Sequence, residues 1–534
     1  MSADCIPFSS LPHTSRLFQH FIFDHTQVSR FYPHRPTVAD VAAYARELAA
    51  KFPAERREQI SSILARQNRS LGSSQAAFDA IARLQRGAVA VISGQQVGLF
   101  GGPLYSLLKA AHAVALAREL TEQGIDAVPI FWLATEDHDL AEINHTVLPH
   151  AGKLHEFVSP AAGGPDQPVG EIKLTNETHS MVAEFSSVLG DGEIAEAVNA
   201  SYAEGETYGS AFGKLFARLF AEYGLILVNP LDAELHAIAG PLMLSALENA
   251  DDLDAALLAR GKQLRDAGYH EQVKVTPSST LLFSLQGGKR TVIHLAGENF
   301  MIGAQIVARE ELLTRVAEHP EQFSANVLLR PVMQDWLFPT AAYLGGPAEL
   351  AYFAQANVVY EKLLGRTTPV LPRLSGTIIS GRMDRLLRRY HLTIPDLFRG
   401  SERLRETLAA RVLPAGLQQL FLSSFDNLES MLHELTTDLE KLDHTLVDAA
   451  ERAGRKMHYQ LTRLSAKAAR AELRHNQQLV VDSDLIETEL FPNGDMQERA
   501  IPGVYFLAQH GLGLIDILIG VARAHCSGHQ LVRI

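Results

Sequence analysis

A short segment after the first apolar run of the chain contains the residue types that bind small anions. Residues 88 to 92 read as a fully buried strand, and residues 94 to 98 then combine glycines with the side-chain amides of Gln95 and Gln96. Gly102-Pro103 opens a helix shortly afterwards. A strand that ends in glycines and leads to a helix N-terminus presents backbone N–H groups to a phosphate or a carboxylate. The segment predicts a small-ligand site, and a plain tight turn explains it equally well.

Carboxylate and imidazole side chains are concentrated directly after the next apolar run, which spans residues 128 to 134. They are Glu136, Asp137, His138, Asp139, Glu142 and His145. Four ionised carboxylates this close would repel one another, so a proton, a cation or a substrate ammonium group is expected among them. Histidine titrates near neutrality, which makes His138 a candidate proton acceptor as well as a candidate structural residue. A solvated helix start accounts equally for Asp139 and Glu142.

A third polar cluster repeats this arrangement later in the chain. Residues 327 to 330 read as a strand, and the polar side chains expected to follow it into a pocket are Gln334, Asp335, Tyr343 and Glu349. Gly345-Gly-Pro347 precedes a helical segment, just as Gly101-Gly-Pro103 does. Two helix starts at related places favour one shared pocket, although ordinary helix capping by Asp335 and Glu349 explains the same residues.

The elements between these clusters predict an α/β fold that would bring them together. The strand at 88 to 92, a helix at 103 to 120 and the strand at 128 to 134 form a β-α-β unit. Further strands are expected at 225 to 228, 327 to 330 and 370 to 373, so the parallel sheet is discontinuous in sequence. Ligands of such sheets bind beyond the carboxyl ends of the strands, where all three clusters lie.

Four regions divide the chain in this interpretation. They are a helical N-terminal layer at 1–86, a core at 87–380 with insertions near 141–220 and 260–320, a helical coiled coil at 381–480 and a segment at 481–534 that packs back on the core. The second insertion contains a glycine-rich turn, Gly287-Gly288, between two β-prone runs, which predicts a hairpin. Leucine and alanine recur at spacings of four and three from Phe421 onward, which is typical of a coiled coil. Gly454 is either the tip of an antiparallel hairpin or part of one long helix.

Composition excludes several classes of protein. With 534 residues and a formal net charge of −13, the chain is a large folded protein whose surface does not suit nucleic acid. Cys5 and Cys526 are too few for a disulfide framework or a cysteine-rich zinc site, and the seven-residue separation of His138 and His145 matches no usual zinc spacing. No secretory signal or membrane-spanning run is expected. A cytoplasmic protein without membrane or nucleic-acid partners, and without zinc or another protein-bound metal, is predicted.

The three clusters in this order, followed by the coiled coil and by Phe491-Pro-Asn-Gly-Asp-Met-Gln-Glu-Arg499, resemble the cysteine ligases of bacillithiol biosynthesis (the BshC family) over nearly the whole chain. The resemblance implies a Rossmann-like parallel sheet core related to class I aminoacyl-tRNA synthetases, with connecting insertions and an α-helical coiled-coil domain that supports a homodimer. It also implies an ATP-dependent reaction, with Mg²⁺, that joins the carboxylate of cysteine to the amine of glucosaminyl-malate.

Roles for the residues follow from that resemblance and from what amide formation requires. The carboxylate must be activated, the developing charge held by fixed donors and the amine delivered deprotonated. Gly94, Gly98, Gln95 and Gln96 are assigned to phosphate or carboxylate orientation, Lys109 to anion neutralisation, and Asp137 and Glu136 to the amine, whose proton His138 accepts. The expected nucleotide contacts are Asn493, Gly494 and Arg499.

Two departures from class I synthetases keep other functions open. The chain lacks their histidine-glycine signature and their lysine-methionine-serine-lysine-serine loop; Pro372-Arg-Leu-Ser375 is the nearest positional counterpart of the latter. A nucleotidyltransferase acting on another sugar would release pyrophosphate without cysteine. A coiled-coil protein that senses a metabolite would bind a ligand without turnover.

Overall fold

The computed structural model describes residues 4–160, 163–164, 166–411 and 413–534. The chain divides into two compact units. The first unit consists of Met1–Leu148, Glu156–Thr377 and Glu498–Val532, and the second of Pro149–His155, Ile378–Gln497 and Arg533–Ile534.

The N-terminal elements are β1 (Asp4–Pro7), α1 (Arg16–Phe23), α2 (Val38–Lys51), α3 (Ala54–Ser70) and α4 (Gln75–Arg86). The next elements are β2 (Val89–Gln95), α5 (Leu104–Glu122), β3 (Ala127–Leu133), α6 (Leu140–Ile143), β4 (His145–His150), β5 (Lys153–Val158), α7 (Asn176–Leu189), α8 (Glu193–Ser201), α9 (Tyr208–Leu219) and β6 (Ile226–Val228).

After β6 the chain forms α10 (Ala233–Glu248), α11 (Ala250–Asp266), β7 (Ser279–Gln286), β8 (Lys289–Ala296), β9 (Asn299–Ile302), β10 (Gln305–Val307), α12 (Arg309–Glu318), β11 (Phe323–Ala325), α13 (Arg330–Leu337), β12 (Thr340–Gly345), α14 (Pro347–Leu364), β13 (Val370–Pro372) and β14 (Gly376–Ile379). The last elements are α15 (Gly381–Arg389), α16 (Ile394–Leu397), α17 (Ser401–Arg411), α18 (Ala415–Leu442), α19 (Val447–His475), α20 (Gln477–Leu490), α21 (Gln497–Ala500), α22 (Gly503–His510), α23 (Leu514–Ala522) and β15 (Gly528–Arg533).

A five-stranded parallel sheet in the order β13-β12-β2-β3-β6 forms the centre of the first unit. Every residue of β3 is buried, as is every residue of β2 except Gln95. Such uniformly apolar strands are typical of parallel sheets that are covered on both faces. The β-α-β unit predicted from the sequence is confirmed as β2, α5 and β3. The strands predicted at 225 to 228 and 370 to 373 are also confirmed, as β6 and β13.

One predicted strand is wrong. Residues 327 to 330 lead into α13, which has Pro331 in its first turn, and the sheet strand is the later β12. A run of three apolar residues does not distinguish a strand from a helix start, and proline favours the first helical turn. The β12 sequence, Thr-Ala-Ala-Tyr-Leu-Gly, has few of the β-branched residues that mark strands. It was therefore missed.

The hairpin predicted in the second insertion is confirmed. Strands β7 and β8 pair antiparallel around Gly287 and Gly288, both of which have a positive φ. They belong to a second sheet in the order β10-β9-β8-β7-β11. This sheet carries Arg290, at the start of β8, towards the ends of the central strands.

The ends of the described chain meet in the first unit. Strand β1 pairs antiparallel with β15, with Cys5 opposite Gln530. Cys5 and Cys526, the two cysteines of the sequence, form a disulfide. Among the described residues, no single helix is long and apolar enough to cross a membrane; α22 and α23 together pass by length and composition alone and are bent by 119°.

The second unit contains the predicted coiled-coil segment as two helices rather than one. Helix α18 ends at Leu442 and α19 begins at Val447, so the chain reverses at residues 443 to 446 and not at Gly454. Gly454 lies inside α19, where a Cβ atom would be 3.0 Å from Leu432 Cδ1. Gly454 is therefore not the tip of the hairpin. It lies within a helix, as the second alternative had it, but that helix is one of an antiparallel pair, and the glycine allows the two helices to approach closely.

Candidate active site

A cavity of about 440 Å³ opens at the carboxyl ends of the central strands. Its wall includes Gln95 at the end of β2, Glu136 and Asp137 after β3, Tyr343 in β12 and Glu349 in the first turn of α14. Parallel strands place these distant segments at one edge of the sheet. The convergence predicted from the sequence is confirmed for these residues.

The two glutamine amides of the first cluster bind neighbouring side chains. Gln96 Nε2 donates to Asp137 Oδ2 (2.7 Å) and to Glu142 Oε2 (2.5 Å), so one amide bridges two carboxylates. Gln95 Oε1 accepts from Lys109 Nζ at 2.9 Å, and Gln95 Nε2 donates to the Tyr105 hydroxyl at 3.2 Å. These bonds hold both amides in the cavity wall.

The glycines of the first cluster differ in their positions. Gly94 lies in the wall, and a Cβ atom there would be 2.6 Å from the Trp132 carbonyl oxygen, so strand packing requires glycine. Gly98 is not in the wall, and its N–H donates to the Gln96 carbonyl at 2.9 Å. The amides of the following turn donate within the protein: Gly101 to Tyr202, Gly102 to Leu99 and Leu104 to Ile501. The prediction that Gly98 and this turn cradle an anion is wrong, because the N–H groups are already used.

Lys109 and Glu349 form an ion pair, with Nζ and Oε2 2.6 Å apart. Glu349 also accepts hydrogen bonds from the Gly346 N–H (2.7 Å) and the Tyr343 hydroxyl (2.6 Å). Burial lowers the pKa of Lys109. Burial also opposes ionisation of Glu349, but Lys109 and the Gly346 N–H outweigh it, so the Glu349 pKa lies below its usual value. Lys109 is therefore neutralised within the protein, which corrects its assignment to a ligand anion.

The acidic cluster contains one buried carboxylate and three that are more exposed. Glu136 is 5% exposed, and its Oε1 lies 3.0 Å from Nε2 of the buried His236. Asp137 Oδ1 accepts from the His138 N–H at 2.8 Å. Asp139 caps α6 by accepting from the Glu142 N–H, which is the capping role that its position at a helix start allowed.

His138 does not lie in the cavity wall. Its side chain is 38% exposed, and its Nδ1 lies 3.3 Å from Arg290 Nη1. Because a guanidinium has only donors, this Nδ1 is the acceptor of the hydrogen bond. The lone pair of His138 that would accept a proton is therefore already bound to Arg290. This weakens the prediction that His138 is the proton acceptor.

Gln334 and Asp335 lie behind the cavity rather than in its wall. Both belong to α13 and are 0% and 1% exposed. Asp335 Oδ2 accepts from the Thr368 hydroxyl and lies 3.8 Å from Arg366 Nη1, and burial raises the pKa of this carboxyl. The expectation that Asp335 binds substrate is wrong, because α13 turns it into the protein. Gln334 Oε1 accepts from Arg330 Nη1 at 3.3 Å and so supports a residue that does line the cavity.

Arg330 is a wall residue that the sequence analysis missed. Its Nη2 donates to the hydroxyls of Tyr352 (2.8 Å) and Tyr343 (3.5 Å). Burial disfavours its charge, but Tyr352, Tyr343 and Glu349 outweigh that effect and raise the pKa of Arg330. A charged guanidinium whose hydrogen-bond partners are phenols and an amide can still pair with a carboxylate from the cavity. Arg330 is the first residue of α13, but the sequence analysis predicted it as the end of a strand and so did not assign it to the site.

Arg290 is the second missed cation of the wall. Its Nε donates to Ser324 Oγ at 3.1 Å, its Nη2 donates to the Ala325 carbonyl at 2.8 Å, and the guanidinium lies 4.0 Å from the centre of the Phe283 ring. Burial lowers its pKa. The hairpin that carries Arg290 was predicted, but a hairpin pattern alone does not show which side chain reaches a distant cavity.

The predicted nucleotide contacts are separated in the structure. Arg499 lies in the cavity wall beside Arg373, whose guanidinium pairs with Glu498 through contacts of 2.7 and 3.1 Å. Asn493 and Gly494 form a left-handed turn in the second unit and are not wall residues. Only Arg499 of the three therefore lies where a ligand of this cavity would contact it.

Within the ranges that the structure describes, no three His, Cys, Asp or Glu side chains gather so as to hold a metal ion.

Two family models match the chain. Residues 1–374 match the model described as bacillithiol biosynthesis BshC, N-terminal Rossmann-like domain. Residues 376–534 match the model described as bacillithiol biosynthesis BshC, C-terminal coiled-coil domain. The parallel sheet and the antiparallel helices of the second unit agree with these two descriptions.

Relatives with the name "Putative cysteine ligase BshC" match over the full length. The protein of Koribacter versatilis is 46% identical, and that of Solibacter usitatus 36% identical, each over 100% of both chains. The relative from Salinibacter ruber is 34% identical over 97% of this chain and 96% of its own. Among solved structures, methionyl-tRNA synthetase of Mycobacterium tuberculosis, in complex with methionyl-adenylate, matches with a TM-score of 0.23 and 10% identity over 82% of this chain and 92% of that chain.

Proposed function

This chain belongs to the BshC family, the cysteine ligases of bacillithiol biosynthesis, and on that premise we propose that it uses ATP to join the carboxylate of cysteine to the amine of glucosaminyl-malate. The single observation that carries the proposal is the distribution of charge in the cavity wall. Glu136, Asp137 and Glu142 contribute carboxylates to the wall, and Arg330 and Arg290, the latter near Glu136 and Asp137, contribute guanidinium groups. A substrate with an ammonium group and carboxylates complements this arrangement.

The wall provides a distinct group for each end of such a substrate. The carboxylates of Asp137 and Glu142, which Gln96 bridges, attract the ammonium group. Arg330, held by Tyr343 and Tyr352, offers N–H donors to a carboxylate, as does Arg290. These contacts would hold the malyl carboxylates of the sugar substrate.

The start of α14 is the part of the wall that suits the nucleotide. Gly346, Pro347 and Ala348 line the cavity there, and a helix N-terminus favours a phosphate, although the Gly346 N–H is already donated to Glu349 and Pro347 has none. Arg499 and Arg373 lie in the same wall and add positive charge, although Glu498 neutralises much of that of Arg373. Mg²⁺ would bind together with the nucleotide, because the phosphate oxygens of ATP are ligands of this ion.

The reaction requires two steps. A cysteine carboxylate oxygen first attacks a phosphorus atom of ATP, which gives an acyl-phosphate with loss of ADP or an acyl-adenylate with loss of pyrophosphate. The sugar amine then attacks the activated carbonyl carbon, the new C–N bond forms, and phosphate or AMP leaves with the electrons of the broken C–O bond. Fixed cations around the cavity would stabilise the charge on the leaving phosphate.

The deciding experiment incubates the purified protein with ATP, cysteine and glucosaminyl-malate and follows the new thiol by mass. We expect the thiol only when all three are present, and AMP with pyrophosphate or ADP with phosphate identifies the activation route. Pyrophosphate release without cysteine would instead indicate a nucleotidyltransferase. Ligand binding without any nucleotide product would indicate a metabolite sensor.

We also propose that the second unit forms a homodimer. Helices α18 and α19 expose large apolar side chains that their own hairpin does not cover; the most exposed leucines are Leu420 at 62%, Leu442 at 78% and Leu464 at 56%. A second copy of the hairpin matches this apolar surface, and its burial would stabilise the pair. Light scattering of the protein and of the Leu420→Glu variant tests this: a dimer that becomes a monomer supports it, and a monomeric parent protein contradicts it.

A further inference from the structure

His236 is a buried ionisable residue that the proposed function does not yet use. It lies in α10 and is 1% exposed. Its Nε2 is 3.0 Å from Oε1 of Glu136, which lines the cavity and is itself 5% exposed. The two side chains therefore form a pair that has one end at the cavity and the other inside the protein.

Burying two ionisable side chains is costly unless they share a proton or hold opposite charges. Burial alone would lower the pKa of His236, but Glu136 and the backbone carbonyls of Pro230 and Pro320 outweigh it and raise the pKa. Arg290 is the charged group that faces Glu136 from the neighbouring hairpin. The imidazole therefore keeps its proton on Nε2, which donates to Glu136 Oε1.

The other candidates for a proton acceptor are less suitable. Both oxygens of Asp137 already accept hydrogen bonds, from Gln96 and from the His138 N–H. Glu142 also accepts from Gln96 and is exposed, and Nδ1 of His138 accepts from Arg290. Glu136 is the carboxylate of this cluster that combines a place in the wall with shielding from bulk water.

We propose that Glu136 is the catalytic base for the incoming amine and that His236 is the positioning residue whose Nε2–H holds the Glu136 carboxylate in place. This inference depends on the proposed ligase activity. One proton passes from the substrate ammonium to the Glu136 carboxylate, which leaves the amine nitrogen with a free electron pair. That pair forms the C–N bond to the activated carbonyl, and the second nitrogen proton leaves to water as phosphate or AMP departs.

The test separates activation of cysteine from attack by the amine. Hydroxylamine is largely unprotonated at pH 8, so it traps activated cysteine as a hydroxamate without a base. We expect Glu136→Gln to lower amide formation by about 100-fold or more, as loss of a general base does, while hydroxamate formation stays close to that of the parent. Equal loss of both products would overturn the inference, because it would assign Glu136 to activation or binding; unchanged amide formation would overturn it too.

The pH dependence of amide formation by His236 variants tests whether this residue acts in the reaction or only stabilises the fold. His236→Gln keeps a donor near Glu136 but cannot carry a positive charge, so the dependence of the amide-forming rate on pH should differ from that of the parent. Hydroxamate formation should remain, which also shows that the variant is folded. His319→Gln, an exposed histidine beside Pro320, is the matched control and should retain the parent profile. A His236→Gln profile identical to that of the parent would overturn the role of His236.

A parent protein that forms neither amide nor hydroxamate would overturn the ligase proposal and this inference together. A parent that forms both products, with a Glu136→Gln variant that also forms both, would overturn this inference alone.

Discussion

Lys109 of α5 and Glu349 of α14 form an ion pair of 2.6 Å at the end of the central sheet. The lysine side chain is 3% exposed and the glutamate side chain 20% exposed. The pair joins the helix that follows β2 to the helix that follows β12, and Lys109 Nζ also donates to the Gly94 carbonyl at 2.8 Å. One cation thus connects three segments of the cavity wall.

Removing one partner of this pair leaves the other charge buried and unpaired. We expect Lys109→Met or Glu349→Gln alone to lower the free energy of unfolding by about 3 to 5 kcal/mol, and the double variant to lose less than the sum. Urea unfolding of the four proteins gives the coupling energy. Strictly additive losses would contradict the structural pairing.

Arg290 and Lys289 are neighbours on β8 with different surroundings. Arg290 lies in the cavity wall, whereas Lys289 is exposed. We expect Arg290→Gln to lower kcat/KM for glucosaminyl-malate by about tenfold or more, because a charged hydrogen bond to the substrate is lost. Lys289→Gln is the control and should match the parent enzyme. Similar kinetics for the two variants would place the substrate elsewhere.

Gly94 and Gly98 should respond differently to alanine. At Gly94 a Cβ atom would lie 2.6 Å from a backbone oxygen, and we expect a loss of about 3 kcal/mol or more. At Gly98 the nearest atom would be 3.2 Å away, with φ at −65°, and we expect a change within about 1 kcal/mol. Thermal unfolding of both variants provides the comparison, and equal melting temperatures would contradict it.

His529 should make stability depend on pH. It is fully buried between the hydroxyls of Ser375 and Thr377, and burial lowers its pKa from 6.5 to about 4, with Glu498 opposing and Arg373 assisting. The unfolded chain binds this proton more readily, so stability falls as pH drops from about 6.5 towards 4, by roughly 3 kcal/mol at most. His112, whose pKa is also lowered to about 4, adds to the same loss.

His529→Gln removes one of these two contributions. The slope of the unfolding free energy against pH between 6.5 and 4 should therefore be smaller in the variant than in the parent protein. Measuring chemical unfolding at several pH values tests this, with His525→Gln, an exposed histidine near the same strand, as the control. An unchanged slope in His529→Gln would show that this imidazole is protonated in the folded protein.

Patterns of buried strands and glycine turns were sufficient to predict much of the fold. The continuous apolar runs of β2 and β3 can be buried only in a sheet that is covered on both faces, which predicts that the two strands pair. The polar residues that follow them are then expected to converge at one edge of the sheet. The hairpin that carries Arg290 followed from Gly287 and Gly288. These are local signals, and each acts over a few residues.

The remaining site residues depend on packing that local patterns do not contain. Asp335 and Arg330 belong to one helix, α13, yet only Arg330 reaches the cavity, because the rotation of that helix decides which side faces it. His236 pairs with a residue 100 positions away in the chain. No spacing rule relates such partners, and only the folded sheet brings them together.

The pairing of β1 with β15 has a consequence for the order in which the protein can be made. Strand β15, the partner of β1, is translated some 500 residues after it, and Glu498, the counter-ion of Arg373, is translated 125 residues after that arginine. The N-terminal strand must therefore wait, without its neighbour, while the intervening residues are translated; Cys5 in β1 and Cys526, just before β15, are 521 positions apart. Nascent chains that stop before β15 would lack the partner of β1, and those that stop before Glu498 would lack the counter-ion of an arginine in the cavity wall.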